Sequence, residues 1–171
     1  MVYLDNAATT KPSEAAIAAG DEIMRECYAN PHSLHDFGIS AEKKVEEARK
    51  TVAFAMGVTA DCLYFTSGGT MSDNIAIRGF LSGKKGGRII TSAFEHPAVL
   101  ECFKSLEKTF DVVYVSPDKS GKISAESVLE KVTPDTALVS IMHINNETGA
   151  INEIGEIAEY TKRLGVPFHT D

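Results

Sequence analysis

Arg88-Ile89-Ile90-Thr91 leads into the turn Ser92-Ala93-Phe94-Glu95-His96-Pro97, then a helical pattern from Ala98 to Lys108, then Val112-Val113-Tyr114-Val115. Two short β-branched runs joined through an amphipathic helix make a strand–helix–strand unit, and such units build parallel sheets covered by helices. The alternation continues in both directions. Further strand-like runs occur at Leu63-Tyr64-Phe65-Thr66, Ala137-Leu138-Val139-Ser140-Ile141 and Val166-Pro167-Phe168-His169. Helical patterns fill Ala15–Met24, Ser72–Phe80, Ser124–Lys131 and Ile154–Leu164. One more helix puts Ala41, Val45, Ala48, Val52 and Ala55 on one face and Glu42, Lys43, Glu46 and Lys50 on the other. Gly57, Gly121 and Gly165 fall where helices stop or loops turn. The expected fold is three-layer α/β/α with a largely parallel sheet. Ligands of such sheets bind at the carboxyl ends of the strands.

Composition removes several alternatives. The chain has 171 residues, 43% hydrophobic and 24% charged, the balance of an ordinary globular domain with a sizeable core. Collagen, low-complexity disorder and disulfide scaffolds are excluded, and no apolar run is long enough for a membrane helix. Met1-Val2-Tyr3-Leu4-Asp5 has neither a basic nor an apolar leader region, so a cytoplasmic location is expected. A formal charge of −7 argues against nucleic acid as a partner. Lys84 and Lys85 make a small solvated basic turn without the spacing of a nucleotide-binding loop. Cys27, Cys62 and Cys102 are odd in number, with no Cys-x-x-Cys pair. Reduced thiols serving as small buried residues are expected, with no metal site.

The polar residues that follow the strands suggest chemistry. Thr66-Ser67-Gly68-Gly69-Thr70 opens a helix whose free N–H groups and dipole suit a phosphate, although a glycine turn with an ordinary cap has the same residues. His96 follows the next strand, either as a helix cap or as a ring-facing imidazole. Met142-His143-Ile144-Asn145-Asn146-Glu147-Thr148-Gly149 is dense in polar side chains for a turn, and Asp171 closes the last strand segment. Taken together, a phosphate cup, an imidazole, an amide and a carboxylate at successive strand ends match the needs of pyridoxal 5′-phosphate. The segment Tyr28–Gly38, with Pro31, His32 and His35, fits no periodic template and is expected to be a long ordered loop.

In order and wording these motifs resemble the N-terminal part of cysteine desulfurases of the NifS/IscS type, a fold-type I, aspartate aminotransferase-like, class-V family. The matching stretches are Tyr3-Leu4-Asp5-Asn6-Ala7-Ala8-Thr9-Thr10, Asn30-Pro31-His32-Ser33, Phe37-Gly38, Phe65 to Thr70, Ser72-Asp73-Asn74-Ile75-Ala76-Ile77, Glu95-His96 and Ser140 to Gly149. Met71 departs from the pattern, standing where the family usually has Glu. The resemblance implies that Gly69 and Thr70 hold the cofactor phosphate and that His96 stacks on the ring and serves acid–base chemistry. It further implies that Asn146 bonds the ring hydroxyl oxygen, Asp171 pairs with the ring nitrogen, and Asn6 and Ala7 lie near the substrate. The loop with Asn30, His32 and His35 resembles one beside a dimer interface.

The family releases sulfur from L-cysteine, giving L-alanine and an enzyme persulfide that supplies iron–sulfur clusters or thiolated tRNA through acceptor and scaffold proteins. A lysine that bonds the cofactor and a cysteine that takes the sulfur are central to it, and the resemblance maps neither onto this chain. Inactivity of these residues alone, without covalent cofactor attachment, is therefore expected. Residues 1–12 correspond to a segment that joins the small domain, and 13–171 to the first part of the large cofactor-binding domain. The resemblance also places two further strands between the Leu63–Thr66 run and the strand before Asp171. Self-association or a homodimer is the expected state. Two alternatives stay open: a non-catalytic binding or assembly module, and part of a selenocysteine lyase or other class-V enzyme.

Overall fold

A computed structural model describes residues 2–171. The chain forms two compact units, Met1–Phe65 and Thr66–Asp171.

In the first unit, Ser13 opens helix α1 (Glu14–Glu26) by accepting the Ala16 N–H at 3.2 Å. His35 opens α2 (Asp36–Ala55) in the same way, its Nδ1 accepting the Gly38 N–H at 3.2 Å. The loop expected over Tyr28–Gly38 thus ends at His35. Asp36, Phe37 and Gly38 already belong to α2, because the cap starts the helix before its apolar period becomes visible. Gly38 has a steric reason to be glycine, since a Cβ there would run into the Ser33 carbonyl. Arg49 of α2 donates to the Leu63 carbonyl and lays its guanidinium 5.0 Å from the centre of the Phe65 ring. Leu63 has extended dihedrals, φ −104° and ψ 128°, but Leu63–Thr66 joins no ladder. A β-run becomes a strand only when a neighbour takes its N–H and C=O groups, and no described segment does so here.

The second unit contains α3 (Gly69–Leu81), β1 (Arg88–Ser92), α4 (Pro97–Leu106), β2 (Asp111–Val115) and α5 (Ala125–Leu129), followed by β3 (Thr136–Ser140), α6 (Ile154–Arg163) and β4 (Phe168–His169). The four strands form one parallel sheet in the order β2-β1-β3-β4. In register, Ile89 pairs with Val112 and with Leu138, and Ser140 pairs with His169.

Because side chains alternate along a strand, neighbouring residues feed different cores. Ile89 and Leu138 join Ile77 and Leu81 of α3 and Val99, Cys102 and Phe103 of α4. Ile90 and Val139 join Val128 of α5 and Ile157 of α6 on the opposite face. This is the expected three-layer arrangement, with α3 and α4 over one face and α5 and α6 over the other. The runs read as continuously apolar since both faces are covered. Of the three cysteines only Cys102 is buried. Cys27 is half-buried and Cys62 is exposed at the end of a short 3-10 turn, so the expectation of buried thiols holds for one of them.

Candidate functional site

Strands β1 and β3 lie side by side, yet the chain leaves β1 toward β2 and leaves β3 toward β4, in opposite directions. In parallel sheets such a divergence marks the carboxyl ends of the two strands as the place for a ligand. The segments that follow β1 and β3 carry His96 and Asn146.

The turn after β1 is held by Glu95. Its Oε1 accepts the Ser92 hydroxyl at 2.6 Å and the Met142 N–H, from beyond β3, at 3.0 Å. His96 is exposed and caps α4, its Nδ1 accepting the Ala98 N–H at 3.1 Å. Both sequence readings of His96 are thus compatible, because capping occupies one ring nitrogen and leaves Nε2 outside the cap. With Nδ1 accepting, a proton on the neutral ring sits on Nε2.

The turn after β3 is organised by Asn145, not by Asn146. Buried Asn145 donates Nδ2 to the Phe94 carbonyl at 2.8 Å, while its Oδ1 accepts the N–H groups of Glu147 and Thr148 at 3.0 and 2.9 Å. Asn146 is exposed, its amide 3.3 Å from the Glu147 carboxylate. Asn152 closes the base of the turn, donating to the Met142 carbonyl and accepting the Ile123 N–H, both at 2.8 Å.

At the N-terminus of α3, Gly68 has φ +154° and ψ 174°, a region open essentially to glycine alone. No side chain caps this helix, and a Cβ built on Gly69 would meet no heavy atom within 4 Å. The Met71 N–H turns back to the Gly68 carbonyl at 3.1 Å, so among the described residues the donors left at this helix start are the Gly69 and Thr70 N–H groups, with the exposed Thr70 hydroxyl beside them. One turn on, buried Asp73 places Oδ1 3.6 Å from Nε2 of His169, and Nδ1 of His169 is 2.8 Å from the Ser140 hydroxyl.

Charge is concentrated where α3, β1 and β4 converge. Burial, reinforced by the Asp171 carboxylate and eased by His96, pushes Asp73 up to about 6. Burial raises Glu95 to about 7 against the hydrogen bonds from Ser92 and Met142, with Asp171 and Asp73 adding repulsion. Burial holds His169 below its usual range despite the attraction of Asp171. Asp73, Glu95 and His169 each sense the Asp171 carboxylate, and Asp73 and Glu95 repel each other.

Gly69, Thr70, His96, Asn146 and Asp171 all lie in the second unit, on segments that flank the strand ends. Asn6 and Ala7 lie in the first unit, exposed in a turn where the Ala8 N–H reaches the Asp5 carbonyl at 3.3 Å. Sequence reading assigned no role to Asp73, Asn145, Asn152 or Ser140. Their one signal was a polar residue on an otherwise apolar face, which shows only once the face is known to be buried. Among the described residues no group of three or more His, Cys, Asp or Glu side chains is placed to hold a metal, and no helix is long and apolar enough to cross a membrane.

The residues fit pyridoxal phosphate on chemical grounds. The uncapped glycine-lined helix start suits the phosphate, and the carboxylate-rich end of β4 suits a protonated ring nitrogen. A family model described as Aminotransferase class-V matches residues 2–171. The chain belongs to the class-V aminotransferase family. This class-V chain is 43% identical over 173 residues to the cysteine desulfurase IscS of Dictyoglomus turgidum, covering 99% of itself and 44% of that protein. Against the cysteine desulfurase IscS of Methanosarcina thermophila it is also 43% identical, covering 99% of itself and 43% of that protein. Among solved structures, a NifS-like protein superposes with a TM-score of 0.94 at 38% identity, over 99% of this chain and 48% of that one. A structure described as SspA in complex with cysteine gives 0.93 at 35% identity, over 99% and 50%. The chain therefore spans somewhat under half the length of these curated relatives.

Proposed function

We propose that this chain supplies the cofactor-binding part of a cysteine desulfurase, which converts L-cysteine to L-alanine and passes the sulfur to an acceptor protein. The observation that carries the reading is the strand order, which sends the chain in opposite directions from the neighbouring strands β1 and β3. The turns that follow them carry His96 and Asn146, in a chain whose curated relatives bear the name cysteine desulfurase.

Bound pyridoxal phosphate supplies an electron sink for the carbanion that develops at the substrate carbon. The chain's own residues hold and tune it. Gly69 and Thr70 present N–H and hydroxyl donors to the phosphate at the positive end of α3. His96 lies against the ring and holds its proton at Nε2, the nitrogen that the cap leaves free. Asn146 donates to the ring hydroxyl oxygen, and the Asp171 carboxylate keeps the ring nitrogen protonated. Asn6 and Ala7, with the rest of segment 1–12, serve the substrate side. The family's cofactor-bonding lysine and sulfur-accepting cysteine match no motif of this chain, so these 171 residues bind cofactor without turnover. Exposed Leu34, Phe37 and Phe54 of the first unit support self-association.

Titration with pyridoxal 5′-phosphate and with dephosphorylated pyridoxal, followed by visible absorbance, tests the cradle. The phosphate form binds better, and Thr70→Ala narrows the difference by ~tenfold, the worth of one charge-assisted hydrogen bond. Equal affinity for both forms would overturn the phosphate assignment. Alanine formed from L-cysteine faster than by free cofactor would overturn the claim that this chain alone is inactive.

A further inference from the structure

We infer that Glu95 is a positioning residue: its carboxyl group clamps the turn that carries His96 to the turn that carries Asn146, so that imidazole and amide meet the cofactor as one unit. The inference rests on the proposed function for what those two side chains touch, and on geometry alone for the clamp.

The two turns follow different strands and are 47 residues apart at the bridging contact. Nothing in the sheet hydrogen bonding fixes one against the other, because each lies beyond the ladder that pairs β1 with β3. Glu95 does so with one oxygen. Oε1 gathers the Ser92 hydroxyl from its own turn and the Met142 N–H from the other, at 2.6 and 3.0 Å. A second tie runs the opposite way, from the Asn145 amide to the Phe94 carbonyl at 2.8 Å. His96 is the residue after one tie and Asn146 the residue after the other. Each candidate cofactor contact therefore stands one peptide from a buried anchor.

The remaining oxygen distinguishes this arrangement from ordinary packing. Glu95 is 5% exposed, and its Oε2 is buried with no hydrogen-bond partner. A half-satisfied buried carboxyl group is an expensive way to join two turns, and an unsatisfied buried polar atom in a folded protein calls for a reason. The charged groups that act on it are Asp73 on α3 and Asp171 beyond the end of β4, which in turn sense His96 at the start of α4 and His169 on β4. Glu95 gains and loses its proton near neutrality in that field. In both states Oε1 can accept from Ser92 and Met142, so the clamp persists and the Met142 amide reports the titration.

Amide exchange and pH titration of the cofactor-free protein by NMR test the clamp. In the wild type the Met142 N–H is protected and its shift inflects near neutral pH. Glu95→Gln keeps the protection and removes the inflection. Glu95→Asp, one methylene shorter but still acidic, speeds Met142 exchange by ~tenfold or more and weakens pyridoxal 5′-phosphate by ~tenfold, while the Gln variant stays within about threefold of wild type. A Met142 amide as protected in the Asp variant as in the wild type overturns the clamp. So does unchanged cofactor affinity once protection is lost. If the Asp variant does not fold, the isosteric Gln variant decides, and free exchange of its Met142 amide overturns the clamp. Absence of any wild-type affinity for pyridoxal phosphate would instead strike the proposed function, with the exchange measurement still deciding the clamp.

Discussion

Asp73 of α3 faces His169 of β4 across 3.6 Å, and the Ser140 hydroxyl holds the other ring nitrogen at 2.8 Å. The contact ties the helix with the open glycine-rich start to the strand that leads into Asp171. Neither partner gains full charge easily, since burial raises the carboxyl and lowers the imidazole.

Burial of the two groups sets a pH dependence. Asp73 rises from its ordinary 3.8 to about 6 in the folded chain. Between those values the folded state holds more protons than the unfolded one, so this contribution to stability falls as pH rises. Glu95 acts in the same sense between 4.5 and about 7. His169 opposes them, because below its ordinary 6.5 the unfolded chain takes the proton first and acidification destabilises. Asp73→Asn is expected to stabilise by about 2 kcal/mol near pH 7.5, with the gain gone near pH 3.5. Denaturant titrations at the two pH values check this, and a gain that does not change with pH would contradict it.

Asn152 joins the Ile123 N–H to the Met142 carbonyl, both buried. Asn152→Ala strands one donor and one acceptor and is expected to cost about 2–4 kcal/mol. Chemical denaturation measures the loss, and faster amide exchange at Ile123 shows that it is local.

Two glycines should respond oppositely to alanine. Gly87 has φ +108°, and a Cβ there would lie 2.7 Å from the Asp135 carbonyl oxygen, beside the start of β1. Gly87→Ala should cost roughly 2 kcal/mol or more. Gly20 sits within α1, and a Cβ there would meet no heavy atom within 4 Å, so Gly20→Ala should stabilise its unit by about 0.5–1 kcal/mol. Thermal melts of the two variants should move apart, and a matching shift in both would refute the contrast.

Phe103 of α4 is fully buried against β1 and β3 residues in the core beneath α3 and α4. Phe103→Ala should remove about 3–5 kcal/mol. Ile157→Val, a smaller deletion in the opposite core, should remove about 1 kcal/mol. Equilibrium unfolding of both variants tests whether each face is packed as tightly as the other.

Most elements could be read from the chain because their signals are local. The 88–115 unit shows its strand, turn and helix within 28 consecutive residues, and the helical patterns Ala15–Met24 and Ser124–Lys131 overlap α1 and α5. His35 was harder to read, because a histidine cap looks like any loop histidine until its Nδ1 meets the Gly38 N–H. Leu63–Thr66 misled for the opposite reason, its residues favouring a strand that only a pairing neighbour can make. Asn145 and Asn146 are chemically identical neighbours, and burial alone separates the anchor from the exposed amide.

The sequence by itself determined the alternation of strands and helices, the parallel sheet, and the polar residues that follow each strand. Periodicity, capping and glycine freedom act within a few residues and need no distant partner. Only the tertiary structure decided the order β2-β1-β3-β4, the ties between the turns after β1 and β3, and the carboxyl cluster of Asp73, Glu95 and Asp171. Those depend on contacts between residues tens of positions apart. Desolvation and mutual repulsion arise only when folding brings the charges together and removes the water between them.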